Sequence, residues 1–330
     1  MIKYLHKVKA KPKVLLTRKL HDFAIKEIQK KYRLEIHSGK IPMPKNLLQR
    51  KIADAVGLVC FPYDRIDRDV FDAARNLRVI STYSVGYDHI DLQAAKERKI
   101  AIGYTPDVLT DATADLTVAL MLDVMRRVTE GDRLIRAGRW RTIFGAHDYV
   151  GVDLCGKTLG ILGMGRIGRA VAKRVKPFGM NVIYHSRTPL SKSAEKRNGA
   201  KYVSMSRLVA ESDVLSVHVP YSHQTHHLIN KVTFAKMKSS SFLINTARGK
   251  IVNEYDLLTA LKSKRIAGAA LDVFECEPIG VKNNLTKMQN IVLAPHIGSS
   301  TEETRAKMAQ LTVLNLVRGL EGKKMVYSVV

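Results

Sequence analysis

Gly163-Met164-Gly165-Arg166-Ile167-Gly168 stands directly after the apolar run Thr158 to Leu162, and Arg248, Glu277 and His296 follow it in that order. In a strand-turn-helix unit the first glycine makes the tight turn and the second lets backbone approach a pyrophosphate. The third lets the helix pack on the strand, and the helix amino end adds N–H donors and a positive dipole. Gly163, Gly165 and Gly168 suit these roles, and Arg169 to Phe178 reads as the helix. Glycine-rich turns also arise for structural reasons, so the flanking strand and helix give the pattern its weight.

About twenty residues past such a turn, an NAD-specific enzyme presents Asp or Glu to the adenine ribose. This chain has Tyr184-His185-Ser186-Arg187-Thr188-Pro189 there, without a carboxylate. Arg187 can pair with a 2′-phosphate, and Ser186 and Thr188 can donate hydrogen bonds to it. The expected cofactor is NADP(H). NAD(H) is the alternative, with Arg187 then an ordinary solvated loop arginine.

Reducing a 2-keto acid requires an anchor for its carboxylate, a hydride donor and an acid that protonates the developing alkoxide. Arg248, in Asn245-Thr246-Ala247-Arg248-Gly249, follows an apolar run and offers a fork-shaped cation. His296, in Ala294-Pro295-His296-Ile297-Gly298-Ser299-Ser300, follows another. Histidine suits the acid because its ordinary pKa is about 6.5. Glu277, in Phe274-Glu275-Cys276-Glu277-Pro278, is the carboxylate to support it. Singly each is ambiguous, since the chain has 11 histidines.

The elements that must position these groups follow from periodicity. Short β-branched runs alternate with longer amphipathic ones, the signature of parallel sheets wrapped by helices. A first set of strands lies at Val14–Leu16, Leu34–Ile36, Gly57–Val59, Val79–Thr82 and Ile100–Ile102, with helices at Asp22–Lys31 and Asp67–Ala74. Asp111 to Arg127 is a long helical pattern with a cap expected at Asp111. A second set begins at Thr158 and continues at Asn181–Tyr184, Val214–Val219, Phe242–Ile244, Ala267–Leu271 and Asn290–Leu293. Thr301 to Leu320 reads as a terminal helix returning to the first set.

At 330 residues with 45% hydrophobic side chains, two domains are expected. The stretch Leu116 to Met125 is too short and too interrupted to cross a bilayer, and no apolar leader follows Met1, so a cytoplasmic location is expected. Cys60, Cys155 and Cys276 lack a close pair, which disfavours disulfides and zinc; all three are expected as buried small hydrophobes, and no metal is expected. The net charge of +25 reads as a solvated basic surface rather than a nucleic-acid site, because the lysines are scattered. Lys3 to Lys13 reads as a basic tail entering the first strand.

With these motifs the chain resembles the D-isomer-specific 2-hydroxyacid dehydrogenase family across nearly all its length, most closely the glyoxylate/hydroxypyruvate (2-ketogluconate-type) reductases. The resemblance rests on Ser84-Val85-Gly86-Tyr87-Asp88-His89-Ile90-Asp91, Asp111-Ala112-Thr113-Ala114-Asp115, the glycine turn, Asn245 to Gly249, Leu271 to Pro278 and Pro295 to Ser300. It implies an α/β fold of two Rossmann-like domains with parallel sheets. A nucleotide-binding domain at 113–292 is inserted into a flavodoxin-like substrate domain made of 1–112 and 293–330, with hinges near Asp111 and Leu293.

The resemblance further implies that Arg248 binds substrate, that Glu277 orients His296, and that His296 is the acid and base. Val85 and Gly86 would offer adjacent N–H groups to the substrate carboxylate, which agrees with an anion nest. Thr113, Val219, Pro220, Thr246, Ala247 and Asp272 would line the dinucleotide together with Arg248, His296 and Gly298. Asp88 and Asp91 read as loop and helix-cap residues. Trp140, Phe144, His147 and Tyr149 read either as aromatic core packing or as a substrate contact. The expected reaction is NADPH-dependent reduction of glyoxylate or hydroxypyruvate to the D-2-hydroxy acid by a homodimer paired through the nucleotide domain. Phosphoglycerate- or phosphite-type dehydrogenases are the near alternatives. A dinucleotide-sensing corepressor-like scaffold is the distant one.

Overall fold

Runs of buried β-branched and aliphatic residues build two separate parallel sheets in the computed structural model, which describes residues 10–39 and 41–329. The part of the basic tail before residue 10 lies outside the described residues. One compact unit comprises Met1–Val108 and Thr301–Val330, the other Leu109–Ser300.

In the first unit the described strands are β1 (Lys13–Leu16), β2 (Arg33–Ile36), β3 (Ala55–Cys60), β4 (Val79–Thr82) and β5 (Ala101–Gly103), in the order β2-β1-β3-β4-β5. That is the flavodoxin-like order. Each residue of β1 and β4 is buried, as expected of strands covered on both faces. The terminal helix Glu302–Leu320 is capped by Thr301, which accepts from Thr304 N at 3.2 Å. It packs on this sheet, where Ser81 Oγ donates to Thr312 O at 2.8 Å.

In the second unit the described strands are β6 (Thr158–Leu162), β7 (Asn181–His185), β8 (Ala200–Tyr202), β9 (Val214–Val217), β10 (Phe242–Asn245), β11 (Gly268–Leu271) and β12 (Ile291–Leu293). Their order is β12-β11-β10-β9-β6-β7-β8, a Rossmann sheet extended by one strand. The long helix Thr110–Arg126 buries Ala114, Val118, Met121 and Met125 against it.

Several expectations need correction. The N-cap of the long helix is Leu109 without a side-chain hydrogen bond, so Asp111 lies inside the first turn, where it favours the helix dipole and accepts from Arg174 Nη2 at 2.9 Å. Asp91 does cap a helix, Leu92–Glu97, by accepting from Ala94 N at 2.9 Å. Cys60 is buried, but Cys155 and Cys276 are exposed, because both sit in loops outside the strands. Trp140 is not core: it is 56% exposed, and the preceding helix Val128–Arg136 buries none of its residues. Among the described residues no helix is long and apolar enough to cross a membrane.

Candidate active site

Parallel register aligns the carboxyl ends of β6, β7 and β9, with Leu162 beside both His185 and Val217. Strand order reverses between β6 and β9, the crevice where open α/β sheets bind ligands. The glycine turn leaves β6 there. Gly163 has φ of 100° and donates its N–H to His185 O at 2.8 Å. A Cβ on Gly163 would stand 2.8 Å from the His218 carbonyl carbon, and one on Gly168 would stand 2.3 Å from Gly163 O. Gly165 is different. A Cβ there would meet nothing within 4 Å, at the amino end of the helix Arg166–Val175 whose first turn carries no acid.

That open position, the helix amino end and the carboxylate-free end of β7 together fit a dinucleotide pyrophosphate. Met164 N donates to Ser186 Oγ at 2.7 Å, so the Ser186 hydroxyl holds the turn and keeps its own proton as a donor. Arg187 and Thr188 are exposed beyond it. His218, between β9 and Val219-Pro220, has Nε2 2.8 Å from Ser216 Oγ, and burial pushes its pKa down to about 4.

Three further loops leave the same edge of the sheet. After β10, the buried Asn245 side chain wraps its own turn, accepting from Ala247 N at 3.1 Å and donating to Arg248 O at 2.9 Å. Arg248 is half-buried at the end of that turn. Thr246 contacts Thr117 of the long helix, hydroxyl to hydroxyl at 2.9 Å. After β11 comes Asp272, whose two carboxylate oxygens accept from Ile297 N at 2.7 Å and Gly298 N at 2.8 Å. Its carbonyl accepts from His296 N at 2.9 Å. One residue thus grips the loop after β12 and holds His296 at φ of 54°. Burial raises the Asp272 carboxyl to about 6, opposed by its two N–H donors and by His296. Thr113 Oγ1 closes the same loop by donating to Gly298 O at 3.1 Å.

His296 Nδ1 lies 2.6 Å from Glu277 Oε2, with both side chains about one-fifth exposed (22% and 18%). The other oxygen of Glu277 accepts from Phe274 N at 2.9 Å. A carboxylate fixed in this way orients the imidazole ring. Sequence reading named both partners. It missed Asn245 as the residue that shapes the Arg248 turn, although Asn before such a turn is a side-chain-to-backbone signal.

In the first unit Val85 and Gly86 follow β4, both partly exposed. Ser84 Oγ donates to Gly86 O, and Ser84 O accepts from Thr105 N at 2.9 Å, so side chain and backbone together shape this turn.

Residues 118–298 match the family model described as D-isomer specific 2-hydroxyacid dehydrogenase, NAD binding domain. A glyoxylate reductase of Thermococcus litoralis is 45% identical over 316 residues, 95% of each chain. A crystal structure of a Thermus thermophilus protein is 44% identical with a TM-score of 0.89, covering 96% of this chain and 100% of that one. An NADPH-dependent glyoxylate/hydroxypyruvate reductase of Sinorhizobium meliloti, solved with NADP and malonate, is 30% identical with a TM-score of 0.86 and covers 97% of each chain.

Proposed function

The chain belongs to the D-isomer specific 2-hydroxyacid dehydrogenase family, nicotinamide-dependent oxidoreductases of the CH–OH group, and from that premise we propose that it reduces glyoxylate or hydroxypyruvate to the D-2-hydroxy acid with NADPH preferred. The observation that carries the reading is the 2.6 Å pairing of His296 with Glu277 at the edge of the sheet that also bears the glycine turn. The second unit is the nucleotide domain and the first the substrate domain.

When bound, the reduced nicotinamide supplies hydride. Gly163 to Gly168 hold the pyrophosphate, and Arg187, with Ser186 and Thr188, takes the 2′-phosphate. Val219 and Pro220 flank the adenine side; Thr113, Thr246, Ala247, Asp272 and Gly298 line the nicotinamide side. Arg248 binds the substrate carboxylate, and His296 delivers the proton to the carbonyl oxygen with Glu277 behind it. For the first unit the proposal is an anion-binding turn at Val85 and Gly86. NADPH is favoured over NADH by the lack of an acid at Ser186-Arg187-Thr188, and the Sinorhizobium relative was solved with NADP.

The chain works in the cytoplasm as a homodimer paired through the second unit. Supporting the dimer is the apolar surface at Val128, Ile135, Trp140 and Ile143, the last 94% exposed.

Steady-state rates with a series of 2-keto acids, each with NADPH and NADH, test the reading. The expected outcome is best turnover of glyoxylate or hydroxypyruvate with NADPH; a clear preference for NADH removes the Arg187 assignment. Reduction, which draws a proton from the enzyme, weakens toward alkaline pH. Glu277→Gln moves that alkaline limb to lower pH, and an unchanged profile contradicts the pairing role.

A further inference from the structure

The segment that carries Glu277 is held from outside. Glu254, first residue of the helix Glu254–Lys262, accepts from Glu275 N through Oε1 at 2.6 Å and from Asn283 Nδ2 through Oε2 at 3.2 Å. In return, Glu254 N donates to Glu275 Oε1 at 2.8 Å. One half-buried carboxylate therefore ties together residues 275 and 283, which bracket Glu277. Asn283 is itself fixed, since its Oδ1 accepts from Leu285 N at 2.9 Å.

The same clasp reaches the Arg248 turn. A Cβ on Gly249 would stand 1.8 Å from the carbonyl carbon of Phe274, so the backbone after Arg248 lies directly on the Phe274–Glu275 peptide. His227 Nε2 lies 3.2 Å from Glu275 Oε1, while His227 N donates to Lys250 O at 2.9 Å. An acid in the first turn of a helix ordinarily serves the helix dipole. Glu254 does more, because both its oxygens are engaged by a loop that follows a different strand.

Resting on the reading of Glu277 and His296 above, we infer that Glu254 is a positioning residue: through its clasp on Glu275 and Asn283 it holds Glu277 at hydrogen-bond distance from His296. Small displacements of a catalytic constellation have large kinetic costs, since rate depends on alignment in the transition state. On the site side Glu277 faces His296 and lies within the field of Asp272. On the clasp side stand Glu275, Glu254 and His227, with Arg248 in the adjoining turn.

The test compares Glu254→Ala in two backgrounds, with pH profiles of reduction measured for each. In the otherwise unaltered chain it lowers kcat about tenfold, leaves KM for keto acid and NADPH within about twofold, and moves the alkaline limb toward that of Glu277→Gln. In the Glu277→Gln background the same change costs less than about twofold, because the contact it supports is already gone. Glu254→Gln, which keeps an acceptor for the Glu275 amide, restores most of the loss. An equal loss in both backgrounds, or a raised KM with an unmoved pH limb, overturns the inference. If Glu277→Gln alone changes neither rate nor limb, the His296 pairing itself falls, a separate outcome. Where Glu254→Ala does not fold, Glu254→Asp, one methylene shorter, carries the same comparison.

Discussion

In the first unit strand order reverses between β1 and β3, and side chains close that point; in the second it reverses between β6 and β9, and glycine leaves it open. After β1 the buried Thr17 donates its N–H to Val59 O at 3.0 Å and its hydroxyl to Asp64 Oδ2. Asp64, also buried, accepts from Phe61 N at 2.8 Å, and burial raises its carboxyl above the ordinary range. After β6 no side chain projects from Gly165. Two parallel sheets of related topology therefore differ at the place where such sheets bind ligands, and the difference is the presence or absence of a side chain. The same architecture permits a sealed strand end or a cradle.

The largest effect is expected from filling the cradle. Gly165→Val places a branched side chain in the turn proposed to hold the pyrophosphate and should lower NADPH affinity about a hundredfold, or about 3 kcal/mol. Because a Cβ there touches nothing, the melting temperature falls only by the small amount that a β-branched N-cap costs. Fluorescence titration and thermal melting read the two halves; a large drop in melting temperature would mean that the turn is packed rather than open.

The next effect concerns acid. The His218 imidazole has an ordinary value of 6.5 and a folded value of about 4, so its stabilising contribution is full above that window and lost as pH falls through it. Asp272, raised to about 6, has the opposite slope, gaining stability as pH falls. The histidine is therefore isolated by substitution. Between about pH 7 and about pH 4.5, His218→Gln should lose about 2 kcal/mol less stability than the unaltered chain in urea unfolding. Parallel losses would remove the neutral histidine from behind the glycine turn.

Smallest is the change at the sealed end. Thr17→Val removes the hydroxyl from Asp64 and costs about 1 kcal/mol of stability. NADPH affinity stays the same, and a fall in it would erase the contrast between the two strand ends.

Much of this was legible along the chain because it is local. Strands buried on both faces announce themselves as short apolar runs, so β1, β4, β6 and β10 lie close to their expected positions. Short helices were harder: Lys45–Ile52 and Leu92–Glu97 cover too few turns for periodicity to stand out. Cys155 and Cys276 were misread because composition reports how often cysteine is buried, not which loop carries it.

The sequence by itself determined the alternation of elements, the glycine turn with no acid after β7, and the ordered arginine, glutamate and histidine. Tertiary structure alone decided that His296 Nδ1 stands 2.6 Å from Glu277 Oε2, and that Ser186 turns back onto Met164. It also decided that Glu254 clasps the ends of the Glu277 segment and that Thr17 closes the first unit's strand end. The reason is the range of the interactions. Propensity and periodicity act over a few neighbouring residues, whereas these hydrogen bonds join groups 19 to 47 positions apart, made adjacent only by strand register and loop packing.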